Sequence, residues 1–60
     1  MSDKHWEQAM AQLPEGARVV RKYTAAENAE LRWVVRLADG RDTRYVVHFE
    51  GEDVRLEHRP

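Results

Sequence analysis

Between Leu31 and Leu56 the apolar residues fall at every second position in three successive runs: Leu31, Trp33, Val35, Leu37, then Tyr45, Val47, Phe49, then Val54, Leu56. A period of two is the mark of a strand with one buried face. The gaps between the runs fix how the strands pair, because a slip of one residue moves every side chain to the other face. Trp33 and Val35 share a face with Tyr45 and Val47 only if paired residues sum to an even number, which a three-residue loop Ala38-Asp39-Gly40 satisfies, a type I turn followed by Gly40 in the left-handed region. Leu37 then pairs with Arg41, Val35 with Thr43, Trp33 with Tyr45 and Leu31 with Val47. A two-residue Asp39-Gly40 turn would set Val35 against Arg44 and turn one strand inside out. In the next hairpin, a two-residue Gly51-Glu52 loop of type II′ sets Phe49 against Val54 and Val47 against Leu56. Both hairpins agree with the alternation independently, and such agreement between levels is what specifies a fold.

Ahead of these strands lies a helical pattern. Ser2 or Asp3 can cap it, and Trp6, Ala9, Met10 and Leu13 form one apolar stripe at i, i+3, i+4 and i+7. Pro14 disfavours helical geometry at Leu13, so the helix is predicted over about 3–13. "LPEG" reads as a tight turn with Pro14 second and Gly16 fourth. A first strand follows over 17–25. Its facing is ambiguous, because Val19 and Tyr23 have opposite parity to Val20. The remaining strands are predicted over 30–37, 41–50 and 53–58. The fold class is therefore α+β: one domain, 1–60, with an N-terminal helix on a four-stranded antiparallel meander. The helix is expected to bury Trp6, Met10 and Leu13 against Trp33, Val35, Tyr45, Val47 and Leu56.

Sixty residues without a cysteine leave a small core with neither a disulfide framework nor a CxxC zinc site to support it. The missing disulfides favour a reducing compartment. MSDKHWEQAM has no signal-peptide character, and no apolar run approaches the roughly 20 residues of a membrane span. The expectation is a soluble, cytoplasmic protein with no membrane partner. Its size and Arg/Ala/Val-rich usage suit a bacterial or phage origin.

Ten basic residues against eleven acidic ones give a formal net charge of −1. This is neither the basic excess of a nucleic-acid binder nor the acidic excess of a nucleic-acid mimic. The charge is instead patterned. The face opposite the core carries Arg32, Val34, Arg36, Arg44, Val46, His48 and Arg55, with Arg36 across from Asp42 and Val46 across from Glu57. Alternating charges of this kind suit a solvated sheet face. Val34 and Val46, however, form an apolar centre inside an arginine rim, a pattern enriched at protein interfaces. These seven residues are the candidate partner-binding site. The aromatics Trp33, Tyr45 and Phe49 have core parity, which weakens a nucleic-acid reading, since such sheets usually expose their aromatics.

No catalytic, metal or cofactor site is expected. Ser2 is the only serine, and His5, His48 and His58 are scattered over helix, outer face and tail. A metal needs three or four convergent ligands.

The order helix, LPEGARVV, strand, DGR turn, strand, G turn, strand resembles the PepSY-type domain between Trp6 and Glu57. That resemblance implies a non-catalytic interaction or inhibitory module and transfers no functional residue. The chain departs from the PepSY pattern at "HFEGED", where that family tends to carry an acidic residue and a TG turn. It also lacks the signal expected of a mostly extracytoplasmic family. The sequence thus points to a small protein-binding regulator or inhibitor. The alternatives are a nucleic-acid-binding accessory protein using the arginine face and a structural homodimer.

Overall fold

The computed structural model describes residues 2–60. Helix α1 spans Asp3–Ala11, and strands β1 (Arg18–Thr24), β2 (Leu31–Arg36), β3 (Asp42–Glu50) and β4 (Asp53–His58) follow it. They form one antiparallel sheet in the order β1-β2-β3-β4, the αββββ meander expected from the alternation. Both hairpin registers agree with the parity argument: Trp33 pairs with Tyr45, Val35 with Thr43, Phe49 with Val54 and Val47 with Leu56. Gly40 has φ +89 and Gly51 φ +64.

Ser2 caps α1, its side chain accepting the His5 N–H at 3.3 Å. The helix stops two residues before the sequence suggests. Its last turn tightens, with the Gln12 N–H donating to the Ala9 carbonyl and the Leu13 N–H to that of Met10, because Pro14 keeps Leu13 out of helical geometry. The turn that follows is displaced by one residue from LPEG. The Ala17 N–H closes onto the Pro14 carbonyl at 3.1 Å, and Gly16 sits third with φ +80. Positive φ at the third position of such a turn selects glycine. Space selects it too, since a Cβ on Gly16 would lie 2.9 Å from the Ala38 Cβ.

Trp33, Val35, Tyr45, Val47 and Val54 are buried on the inner face with Ala9 of the helix; Leu13, Val19, Leu31, Leu37 and Leu56 pack around them. The helix buries its stripe at Ala9 more than at Trp6. It packs on β4, and its small Ala9 side chain is fully covered, while Trp6 stays 36% exposed at the margin. The Trp6 ring meets Trp33 at 5.3 Å, and Lys22 Nζ lies 4.7 Å from its centroid. It therefore shields the core from the side without entering it.

The ambiguous facing of β1 has a structural cause. A β-bulge places one extra residue, Val20, between the pairs Val19–Val35 and Arg21–Val34. The extra residue reverses the parity of everything after it. Val19 therefore faces the core with Val35, while Tyr23 lies opposite Arg32 on the outer face. Lys22 turns inward beside Trp6 as a consequence. Among the described residues no helix is long and apolar enough to cross a membrane.

Candidate functional site

The outer face divides into two halves. On the β4 side it is closed by ion pairs. Arg32 donates to Glu30 through Nε and Nη2, at 3.3 and 2.9 Å. Arg59 reaches Glu30 at 3.2 Å and Glu57 at 2.7 Å, and His48 Nε2 lies 2.8 Å from Glu57 Oε1. The resulting chain, Arg32–Glu30–Arg59–Glu57–His48, links β2, the tail, β4 and β3. Both carboxyls are held below the usual glutamate range. For Glu30 the chief cause is the hydrogen bond from Arg32; for Glu57 it is the one from Arg59, then that from His48. Val46, paired between Arg32 and Glu57, is 1% exposed. Its expected role as part of an open apolar centre is therefore corrected: charged neighbours with long apolar stems flank it and leave it almost no solvent contact.

Two further arginines of the expected site are also engaged. Arg36 makes a two-point contact with Asp42, at 2.9 and 3.2 Å, and Arg55 donates to Glu50 at 3.2 Å. Pairs this exposed contribute little to stability, but they occupy the donors a partner would need.

The β1 side is different. One row crosses three strands as Arg21–Val34–Arg44. These residues, with Tyr23, Asp42 and Thr43, line a shallow concavity of about 300 Å³. Val34 is half-buried and both arginines are exposed. Arg21, Arg44 and Arg18 have no carboxylate in ion-pair range among the described residues. The Arg21 guanidinium lies 5.2 Å from the Tyr23 ring centroid. Of the seven expected residues, the structure thus brings Val34 and Arg44 together in an open site, adds Arg21 and Tyr23, and commits Arg32, Arg36, His48 and Arg55 to internal pairs. Arg21 and Tyr23 escaped sequence reasoning because the bulge reverses their face. The signal was present in the conflicting parity of Val19 and Val20.

A second concavity of about 300 Å³ is lined by Leu37, Arg41, Asp42, Thr43, His58 and Pro60. Thr43 Oγ1 lies 2.6 Å from His58 Nε2, and Tyr45 stacks on the His58 ring at 4.9 Å. A hydroxyl bonded to an imidazole is the first half of a nucleophile–base pair. A working pair also needs a group orienting the imidazole and donors for developing charge; none is hydrogen-bonded to His58 among the described residues. Nor do three His, Asp or Glu side chains converge there as a metal site requires.

Both sheet edges are blunted. On β4, Gln8 of the helix and its C-cap residue Gln12 occupy the outward backbone groups of Val54 and Leu56. On β1 the bulge at Val20 and the inward Lys22 act against continued pairing, as bulges and inward charges do on edge strands. Comparison of the chain with protein-family models, curated proteins and solved structures found no match.

Proposed function

We propose that the chain is a small, non-catalytic protein-binding module of the cytoplasm, of bacterial or phage origin, which regulates or inhibits a partner by occupying its surface. The observation that carries this reading is the row Arg21–Val34–Arg44. On a face where carboxylates engage Arg32, Arg36, Arg55 and Arg59, these two stand unpaired on either side of a half-buried valine, beside a tyrosine. Arg and Tyr around an apolar centre are the residue types that dominate contact energies. The resemblance to PepSY-type domains points the same way. The blunted edges favour use of a face over dimerisation through strands.

The test is capture of a partner from the cells that produce the chain. Capture is expected with the parent, and equally with Lys4→Glu on the helix exterior, but lost with Val34→Glu and with Arg44→Glu. Equal capture by all four would overturn the reading, and capture abolished by nuclease would replace it with nucleic-acid binding.

A further inference from the structure

We infer that the concavity between Arg21 and Arg44 receives a carboxylate side chain, an aspartate or glutamate on an exposed acidic segment of the partner protein. This rests on the outer-face reading above and names the chemistry it recognises. The two arginines flank Val34 across adjacent strands, which sets their backbones about 10 Å apart. Each guanidinium offers a planar fork of donors suited to carboxylate. Between them the floor is Val34 and one wall is Tyr23. A ligand that fits must therefore bring an apolar stem together with its negative end. An acidic side chain on a peptide has that shape; a bare phosphate has no stem for the floor.

The surroundings separate a protein acid from a polyanion. Asp42 lines the concavity but is gripped by Arg36, and Glu30 and Glu57 lie on the same face beyond Arg32 and Val46, held by Arg32, Arg59 and His48. A phosphate backbone gains its affinity by placing successive charges beside successive cations. Here Arg18 is the one further arginine of the face without a carboxylate partner among the described residues, and toward β4 successive phosphates would meet cations already engaged by Asp42, Glu30 and Glu57. A single carboxylate needs only the concavity itself. The face already displays such a contact: Arg36 grips Asp42 through both Nε and Nη2. Arg21 and Arg44 would supply the same grip to an outside group.

The probe is an octapeptide of alternating glutamate and valine, with a serine-valine octapeptide and a ten-residue thymidine oligonucleotide as comparisons. Binding is followed by the NMR signals of the arginine Nε–H groups and the Val34 methyls. The glutamate peptide is expected to shift Arg21, Arg44 and Val34 saturably, and the serine peptide to leave them unmoved. Arg21→Gln and Arg44→Gln should each weaken binding about fivefold or more, the loss of one charge-assisted contact. Arg41→Gln, which alters an arginine held by Asp39 outside the concavity, should leave it unchanged. Absence of a saturable shift up to millimolar peptide, or equal shifts at all arginines, would overturn the proposal. Stronger occupation by the oligonucleotide would overturn it together with the protein-contact reading. Capture of a partner that depends on Val34 but ignores Arg21→Gln and Arg44→Gln would sink the carboxylate alone and leave that reading standing.

Discussion

Gln12 treats Val54 as a neighbouring strand would. Its side-chain Nε2 donates to the Val54 carbonyl at 2.6 Å, while its Oε1 accepts the Leu56 N–H at 2.8 Å. Gln8, one turn earlier, accepts the Val54 N–H at 2.9 Å. Spacing of i, i+4 puts both amides on one side of the helix, and alternate residues of β4 point their backbone groups outward, so two glutamines serve three backbone groups. The sheet edge is thereby satisfied by a helix.

Removing these amides exposes that edge. Gln12→Ala is expected to cost about 1–2 kcal/mol, since it leaves two backbone groups without partners. Gln8→Ala should cost less. Hydrogen exchange gives the specific check. The Val54 and Leu56 amides should be protected in the parent; Gln12→Ala should release Leu56 first and Gln8→Ala should release Val54 first. Equal protection in all three proteins would show that the glutamines merely lie near the edge.

Gly16 and Gly40 both have positive φ, but only Gly16 is crowded. Gly40→Ala should cost about 1 kcal/mol, the usual penalty for a Cβ in the left-handed region. Gly16→Ala adds a 2.9 Å approach to the Ala38 Cβ and should cost clearly more. Denaturant unfolding of the two variants, compared through their midpoints at constant slope, decides the order. A larger loss at Gly40 would contradict the packing of the Pro14–Ala17 turn on the β2–β3 loop.

The strand pairings were legible because parity is a local property. Trp33, Tyr45, Val47 and Val54 could share a face only with an odd-length β2–β3 loop and an even-length β3–β4 loop, and loops of three and two residues formed. The face of Tyr23 was not legible, because one bulged residue reverses parity and either Val19 or Val20 could have been the one displaced. The burial of Val46 was hidden for a different reason. Its cross-strand partners were correct, but which carboxylate each long arginine reaches depends on the path of the tail. Arg59, which ties Glu30 to Glu57, lies beyond the last strand; its parity matches that of Arg55 and Glu57, but parity does not say which carboxylates its long side chain reaches. The candidate site was therefore half visible: Val34 and Arg44 followed from the alternation, whereas Arg21 and Tyr23 required the bulge.

The Glu30–Arg59–Glu57 chain makes the tail sensitive to acid. Both glutamates titrate below their ordinary value when folded, chiefly through hydrogen bonds from Arg32 and Arg59 respectively. A lowered folded value means that the contribution is fully present above the unfolded pKa, about 4.3, and is lost as pH falls through the folded one. The tail should therefore stay docked at neutral pH and detach below that value. NMR titration of the two side-chain carboxyls, with the Arg59 Nε–H as reporter, checks this. Glu57→Gln should loosen Arg59 already at neutral pH, whereas Glu50→Gln, paired with Arg55, should leave it in place. A tail that detaches only as pH rises would reverse the sign and refute the pairing.

The two outer-face valines should respond oppositely to the same substitution. Val46 is 1% exposed and lies between Arg32 and Glu57 in the ladder. A glutamate there would have to bury its charge or take a proton, and either route is costly. Val46→Glu is therefore expected to unfold a chain whose small core leaves little reserve of stability. Val34 is only half-buried and opens into the concavity between Arg21 and Arg44. A glutamate there can turn toward either guanidinium, so Val34→Glu should melt within a few degrees of the parent. It should also fill the concavity with its own carboxylate, and so abolish binding of the glutamate-valine peptide without disturbing the sheet. Thermal melts of the two single variants, followed by peptide titration of Val34→Glu, separate these effects. A Val46→Glu variant as stable as the parent would show that the ion pairs over that residue part easily. A folded Val34→Glu variant that still bound the peptide would place the contact elsewhere on the molecule.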